Sequence, residues 1–218
     1  MKVKICGLRS PRDVAVATAA GATYVGFVFF PPSPRHLELD KARELAQGVP
    51  NGVTRVALTV DADDATLADI LANVPIDMIQ MHGTEHPVRV AEVRATTGRP
   101  VMKAVAIAAA DDLKKIQPYE AVADQILVDA KPPEKATRPG GNGAAFDWGL
   151  IAGRSWQKPW MLAGGLTPQN IAAAVTATGV TQLDVSSSLE SSPGVKDPAR
   201  IRAFLQAALG GRAVPVRP

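Results

Sequence analysis

The sequence predicts an α/β fold built as a single (β/α)₈ TIM barrel, and two observations support this prediction. Eight short runs of β-branched or apolar residues recur along the 218-residue chain at intervals of about 25 residues, the length that a strand, a helix and two short loops require. Stretches with apolar residues at helical spacing lie between the runs. Strands that alternate with helices form parallel sheets, and eight parallel strands can close into a barrel.

The predicted strands come at a nearly even spacing. They cover residues 3–5, 24–29, 55–60, 77–81, 101–105, 125–129, 160–163 and 182–186. The second run, YVGFVF, is apolar at successive positions, as expected when helices cover one face of a sheet and a packed interior fills the other. A doubly wound open sheet is the alternative, and it usually carries a glycine-rich phosphate turn after its first strand. CGLR stands there instead, which favours the barrel.

Helix boundaries are marked by proline and glycine. Three helix starts are predicted where a polar residue precedes proline: Ser10-Pro11, Thr167-Pro168 and Asp197-Pro198. The polar side chain can accept from an unpaired backbone N–H, and proline suits the first helical turn. Three helix ends are predicted at glycines: Gly21, Gly98 and Gly210.

The length alone allows one large domain or two small ones, at about 150 residues per domain. Because no linker interrupts the repeat, we expect residues 1–209 to form one catalytic barrel domain. Residues 210–218 show no periodicity, so we expect a frayed C-terminal tail there.

Composition excludes several classes of protein. A single cysteine rules out an internal disulfide and multi-cysteine zinc sites, and the three histidines form no metal motif. No apolar run is long enough to span a membrane and no signal peptide is evident, so we expect a cytoplasmic protein without a membrane partner. Only 5% of residues are aromatic and the net charge is +3. Nucleic acid is therefore not expected, whereas a small anionic substrate suits the mild positive charge.

Reactive side chains in such a barrel are expected where strands end. Cys6 follows the first run, where it is either a small buried hydrophobe or, as a thiolate, a base. Asp129 closes an apolar run, which favours acid or base chemistry over a capping role. Arg35 follows Pro32-Ser33-Pro34 and is either a solvated loop arginine or a residue that holds a carboxylate or phosphate. For His82, at the end of the fourth run, a hydrogen-bonded loop residue is favoured over a catalytic base.

The last two strands end in residues suited to phosphate. Gly164 and Gly165 let backbone N–H groups approach an anion, Ser186 and Ser187 add donors, and a short helix near Ser188 could point its positive end inward. Barrels often bind phosphate at these two loops, although both could be simple tight turns. The long loop at 131–145 is a candidate lid.

In order along the chain, the motifs resemble those of the phosphoribosylanthranilate isomerase family. They are KICG at 4–7, SPR at 33–35, QMHG at 80–83, GGNGAAFDW at 140–148, LAGGLTPQN at 162–170, DVSS at 184–187 and PGVKD at 193–197. The resemblance implies a (β/α)₈ enzyme of tryptophan biosynthesis. It would convert N-(5′-phosphoribosyl)anthranilate to 1-(o-carboxyphenylamino)-1-deoxyribulose 5-phosphate, with no cofactor and no metal. Family members are monomers or homodimers, and either is expected here.

Carried over residue by residue, the resemblance makes Asp129 the general acid and Cys6 the general base. The predicted substrate-binding residues are Arg35, His82 and Asp184. Of these, Arg35 would hold the anthranilate carboxylate. The phosphate would be held by Gly164, Gly165, Ser186 and Ser187. Ser188 stands where the family usually has glycine, and its β-carbon bears on the geometry of the phosphate loop.

Two other functions stay open at this point. The isomerase of histidine biosynthesis, or a dual-substrate version of it, shares the fold but is expected to carry aspartate where Cys6 stands. A non-catalytic phosphate-ligand binding or regulatory protein would have no use for both Cys6 and Asp129. These two residues favour the anthranilate isomerase.

Overall fold

A computed structural model describes residues 1–130 and 147–210. Eight parallel strands close into a barrel in chain order, with the last strand paired to the first. The strands are β1 (Lys2–Cys6), β2 (Tyr24–Phe29), β3 (Thr54–Thr59), β4 (Met78–Met81), β5 (Val101–Ile107), β6 (Gln125–Ala130), β7 (Trp160–Leu162) and β8 (Gln182–Val185). Each coincides with a predicted run to within one or two residues at either end, and the (β/α)₈ barrel is confirmed.

Helices surround the barrel. They are α1 (Pro11–Ala19), α2 (Leu39–Gln47), α3 (Asp64–Asn73), α4 (Pro87–Thr97), α5 (Ile116–Glu120), α6 (Ile171–Thr178) and α7 (Pro198–Ala208). A 3₁₀ segment at Ala110–Lys115 precedes α5, and another at Trp148–Ile151 precedes β7. Within the two described ranges, no helix is both long and apolar enough to cross a membrane.

Two of the three predicted helix starts are confirmed and one is wrong. The side chains of Ser10 and Asp197 accept from backbone N–H groups in the first turns of α1 and α7. Helix α6 begins at Ile171 rather than beside Thr167. Residues 168–170 form a turn that leads into the helix, with the Thr167 carbonyl accepting from the Asn170 and Ile171 N–H groups. The Asn170 side chain accepts from the Thr167 N–H and donates to the Gly165 carbonyl. These bonds hold the preceding segment as a turn.

The segment between β8 and α7 contains a hairpin that the sequence did not predict. Strands β9 (Glu190–Ser192) and β10 (Val195–Lys196) pair antiparallel. The turn between them contains Gly194 at φ +82°, and a β-carbon there would collide with the carbonyl oxygen of Pro34. The hairpin therefore packs directly on the loop after β2, where Arg35 lies.

Side chains alternate between the barrel interior and the surrounding core. On β6, Ile126 and Val128 belong to the large cluster between strands and helices, whereas Leu127 belongs to a separate interior cluster. At the N-terminal end of the barrel, Tyr24 Oη and Gln125 Nε2 each donate to Gln182 Oε1 over 3.2 Å. These three buried residues open β2, β6 and β8. Together they close one end of the interior with neutral hydrogen bonds.

Candidate active site

The predicted acid, base and two of their neighbours gather at the C-terminal end of the barrel. Cys6 is the last residue of β1, and Asp129 is the penultimate residue of β6. Asp184 lies on β8 and His82 directly follows β4. All four are at least nine-tenths buried. The parallel sheet thus brings together residues that are up to 178 positions apart in sequence, since Cys6 lies on the first strand and Asp184 on the last.

A buried ion pair lies just below Cys6. Lys4 on β1 is fully buried, and its Nζ donates to Asp184 Oδ1 over 2.8 Å. The two residues are register partners on adjacent strands. Burial alone would lower the pKa of Lys4, but the Asp184 carboxylate and the Cys6 side chain raise it above its ordinary value. The ion pair with Asp184 therefore favours the charged form of Lys4 inside the barrel.

Gly26 provides the space in which Cys6 and Lys4 meet. It is the register partner of Cys6 on β2. A β-carbon at Gly26 would lie 2.9 Å from Cys6 Sγ and 3.1 Å from Lys4 Nζ. Both atoms therefore point at the same small space, with the thiol beside a buried ammonium. A thiolate is stabilised by a neighbouring cation.

Asp129 faces His82. Its Oδ1 accepts from the Ala130 N–H over 2.8 Å, and its Oδ2 lies 3.3 Å from His82 Nε2. The other ring nitrogen, Nδ1, is 2.8 Å from the amide nitrogen of Gln80. His82 is thus the hydrogen-bonded residue that the sequence favours, and it also contacts the predicted acid.

Arg35 is paired with a carboxylate of the protein itself. Its Nε and Nη2 donate to the two carboxylate oxygens of Glu190 over 2.6 and 2.9 Å. Lys196 donates to the same carboxylate over 2.8 Å and to the carbonyl oxygen of Ser186 over 3.0 Å. The hairpin therefore joins the loop after β2 to the loop after β8.

Burial and charge oppose each other in this cluster. Burial raises the pKa of Glu190, but Arg35 and Lys196 outweigh it and hold the pKa below its ordinary value. Burial lowers the pKa of Lys196, and the Glu190 carboxylate only partly offsets this effect. Glu190 is thus a carboxylate held between two cationic side chains.

The four predicted phosphate residues lie on adjacent loops. Gly164 and Gly165 adopt φ of +88° and +61°, a region that favours glycine. Ser186 Oγ donates to the Cys6 carbonyl over 3.0 Å. Ser187 opens a single 3₁₀ turn, Ser187–Leu189, which takes the place of the predicted short helix. Strands β7 and β8 are paired at Leu162 and Leu183, so the two loops leave the barrel side by side.

Ser188 fits this loop without a glycine-only backbone. Among the described residues, the non-glycine residue with positive φ is Asp61, so Ser188 adopts an ordinary conformation. Its hydroxyl donates to the Leu166 carbonyl over 2.6 Å. The serine thereby links the β7 loop to the β8 loop.

The sequence did not identify Lys4, Gln80, Glu190 or Lys196 as site residues. Three of them lie inside the quoted motifs KICG, QMHG and PGVKD, which was the available signal. The candidate lid and most of the GGNGAAFDW motif fall outside the described residues. Within the described residues, no group of three or more His, Cys, Asp and Glu side chains is arranged to hold a metal ion.

The comparisons with known proteins agree with this geometry. A family model described as N-(5′phosphoribosyl)anthranilate isomerase matches residues 3–207. The chain belongs to this family. It is 63% identical over 208 residues to the N-(5′-phosphoribosyl)anthranilate isomerase of Cereibacter sphaeroides, covering 95% of this chain and 98% of that protein.

Solved structures of the family are also similar. The phosphoribosylanthranilate isomerase of Thermotoga maritima matches with a TM-score of 0.87 at 31% identity, over 96% of this chain and 99% of that one. A structure of the isomerase in complex with reduced 1-(o-carboxyphenylamino)-1-deoxyribulose 5-phosphate matches with a TM-score of 0.82 at 29% identity, over 96% of this chain and 99% of that one. The expected family and function, an isomerase of tryptophan biosynthesis, are confirmed.

Proposed function

We propose that the enzyme isomerises N-(5′-phosphoribosyl)anthranilate by two proton transfers, with Asp129 as general acid and Cys6 as general base. One observation carries this assignment. The two side chains are buried at the same end of the barrel, on β6 and β1, and each has a polar neighbour suited to its anionic form. His82 faces Asp129, and Lys4 lies beside Cys6.

The chemistry then follows in two steps. Asp129 gives its proton to the furanose ring oxygen, the bond from this oxygen to the first sugar carbon breaks, and the nitrogen lone pair forms an iminium. The Cys6 thiolate removes the proton from the second carbon, and the C–H electrons form the enolamine, which tautomerises to the ketone. Each transfer typically contributes about 10²–10⁴-fold to the rate. No cofactor or metal takes part.

The remaining predicted residues hold the substrate. The Gly164–Gly165 and Ser186–Ser187 loops would bind the phosphate, and their side-by-side exit from β7 and β8 supports this role. Arg35 would hold the anthranilate carboxylate, with Glu190 fixing the plane of its guanidinium. His82 and Asp184 complete the set, Asp184 through its ion pair with Lys4.

We also propose a cytoplasmic location, with a small phosphorylated molecule as substrate and neither nucleic acid nor membrane as partner. A catalytic thiol must stay reduced, and the cytoplasm keeps thiols reduced. The enzyme would be a monomer or a homodimer. A Thermotoga maritima relative is described as dimeric, with monomers generated from it.

A direct assay tests the function. Purified protein is mixed with freshly made N-(5′-phosphoribosyl)anthranilate, and loss of the substrate's fluorescence is followed. We expect turnover, and its absence at micromolar enzyme would contradict the proposal. Cys6→Ala and Asp129→Ala should each lower kcat by at least about 10²-fold. Circular dichroism should show that both variants are folded, and a small effect of both would refute the acid–base assignment.

A further inference from the structure

Gln80 has a buried side-chain amide whose nitrogen has a hydrogen-bond partner and whose oxygen has none among the described residues. It lies on β4 between Ile79 and Met81, which belong to the outer core, so its own side chain points into the barrel. The residue is fully buried. Its Nε2 is 2.8 Å from His82 Nδ1, whereas its Oε1 has no hydrogen-bond partner among the described residues.

The contact between Gln80 and His82 selects one form of the imidazole. An amide nitrogen can only donate, so Nδ1 must accept, and the proton of a neutral ring must then be on Nε2. His82 Nε2 lies 3.3 Å from Asp129 Oδ2. The protonated nitrogen is therefore the one nearer to the acid.

The reverse orientation of the amide is less favourable. It would place Oε1 against Nδ1, move the ring proton to Nδ1 and leave the Nε2 lone pair facing Oδ2. Once Asp129 has given its proton to the substrate, two acceptors would face each other, at the stage where the carboxylate needs a donor.

We propose that Gln80 is a positioning residue that keeps His82 in its Nε2-protonated form, so that an N–H and not a lone pair lies on the side of the ring nearest Asp129. This inference rests on the proposed role of Asp129 as general acid. When Asp129 has given its proton to the ring oxygen, a negative charge stays on its carboxylate. The His82 N–H stabilises that charge and keeps its own proton. Gln80 thus acts on the reaction through two other side chains.

Glutamine suits this positioning role because its side-chain nitrogen can donate to Nδ1 of His82. A glutamate at position 80 would accept from Nδ1 and pull the ring proton away from Asp129. A methionine would keep the length and the apolar stem but would leave the ring without a preference. The variants Gln80→Glu and Gln80→Met therefore separate reversal of the tautomer from its loss.

Nitrogen-15 NMR of the labelled enzyme tests the tautomer independently of turnover. The chain has three histidines, and the His82 signals are assigned by their absence in His82→Gln. In the wild-type protein we expect a pyridine-type signal for Nδ1 and a pyrrole-type signal for Nε2. Gln80→Glu should give a protonated Nδ1. A protonated Nδ1 in the wild-type neutral ring would overturn the inference, even if the enzyme turns over normally.

Kinetics supply the second test. Gln80→Met should lower kcat at least about tenfold while KM changes less than about threefold, because the lost contact acts on the transition state more than on substrate binding. The matched control is Gln125→Met, which removes a buried amide donor at the opposite end of the barrel. Its kcat should stay within about threefold of wild type. An unchanged kcat in folded Gln80→Met would contradict the proposal.

Discussion

The two ends of the barrel interior bury polar groups in opposite ways. At the N-terminal end, the side chains of Tyr24 and Gln125 both donate to the side-chain oxygen of Gln182, and all three side chains are neutral. At the C-terminal end, Lys4 and Asp184 form an ion pair at 2.8 Å, with further charged side chains around the rim. Burying neutral bonded groups is cheap, whereas buried charges must overcome a large desolvation penalty. We therefore expect the N-terminal end of the barrel interior to serve stability and the C-terminal end to serve the chemistry.

The largest effect should come from breaking the buried ion pair. Lys4→Met leaves the Asp184 carboxylate buried without its cation, and loss of one partner costs about 3–5 kcal/mol in unfolding free energy. Urea denaturation measures this change. The activity should also fall, because Cys6 loses its neighbouring positive charge.

The double variant Lys4→Met/Asp184→Leu separates the effect of the ion pair on stability from its effect on activity. Replacing both charges with apolar groups is often neutral for stability. We therefore expect the unfolding free energy to recover while activity stays low. A double variant as active as wild type would show that the pair serves structure alone.

The second largest effect should come from filling the space beside Cys6. Gly26→Ala places a methyl group 2.9 Å from the sulfur, and overpacking of this kind costs about 1–3 kcal/mol. The thiol and the ammonium must move, so kcat should fall at least about tenfold. Gly48→Ala is the control, because its β-carbon meets only an ordinary 3.5 Å contact. Equal activity in both variants would contradict this role for Gly26.

At the neutral end, a change should affect stability and leave the chemistry intact. Tyr24→Phe removes one donor to Gln182, which keeps the bond from Gln125. The expected loss is about 0.5–1.5 kcal/mol of unfolding free energy, with kcat within about twofold of wild type. A large fall in kcat without loss of stability would remove the distinction between the two ends.

The smallest effect should come from a charge outside the interior. The Lys115 ammonium, 2.6 Å from Asp112, and the N–H groups of Ala108 and Ala109 hold the pKa of Asp112 at about 2. Asp112→Ala should lower the Tm by about 2–4 °C at pH 7, the effect of losing about 1 kcal/mol. Because the pKa is lowered on folding, the stabilisation is present above about pH 4 and disappears as pH falls through about 2. Thermal scans should show the two proteins converging over this range.

Most of the fold follows from local sequence patterns. The strand runs, their even spacing and the caps at Ser10 and Asp197 involve neighbours within a few residues, and all match the structure. The start of α6 was misplaced by three residues, because a turn over residues 168–170 precedes the helix. A proline after a polar residue does not reveal that turn.

The site is harder to predict because its contacts are distant in sequence. Arg35 and Glu190 are 155 residues apart, and Lys4 and Asp184 are 180 apart. Arg35 was predicted to hold a carboxylate or phosphate of the substrate, and the sequence could not show that a carboxylate of the protein itself accepts from two of its donors. From the sequence alone a lysine such as Lys196 is expected at the surface, whereas the fold buries it.

The pairing of β1 with β8 has a consequence for synthesis on the ribosome. A nascent chain carries Cys6, Asp129 and the unpaired Lys4 ammonium long before Asp184 and Ser186 emerge. In the part of the chain that the structure describes, β8 supplies the carboxylate that pairs with this ammonium, and Ser186 directly after it donates to the Cys6 carbonyl. We therefore expect activity only from chains that have been translated past β8 and Ser186.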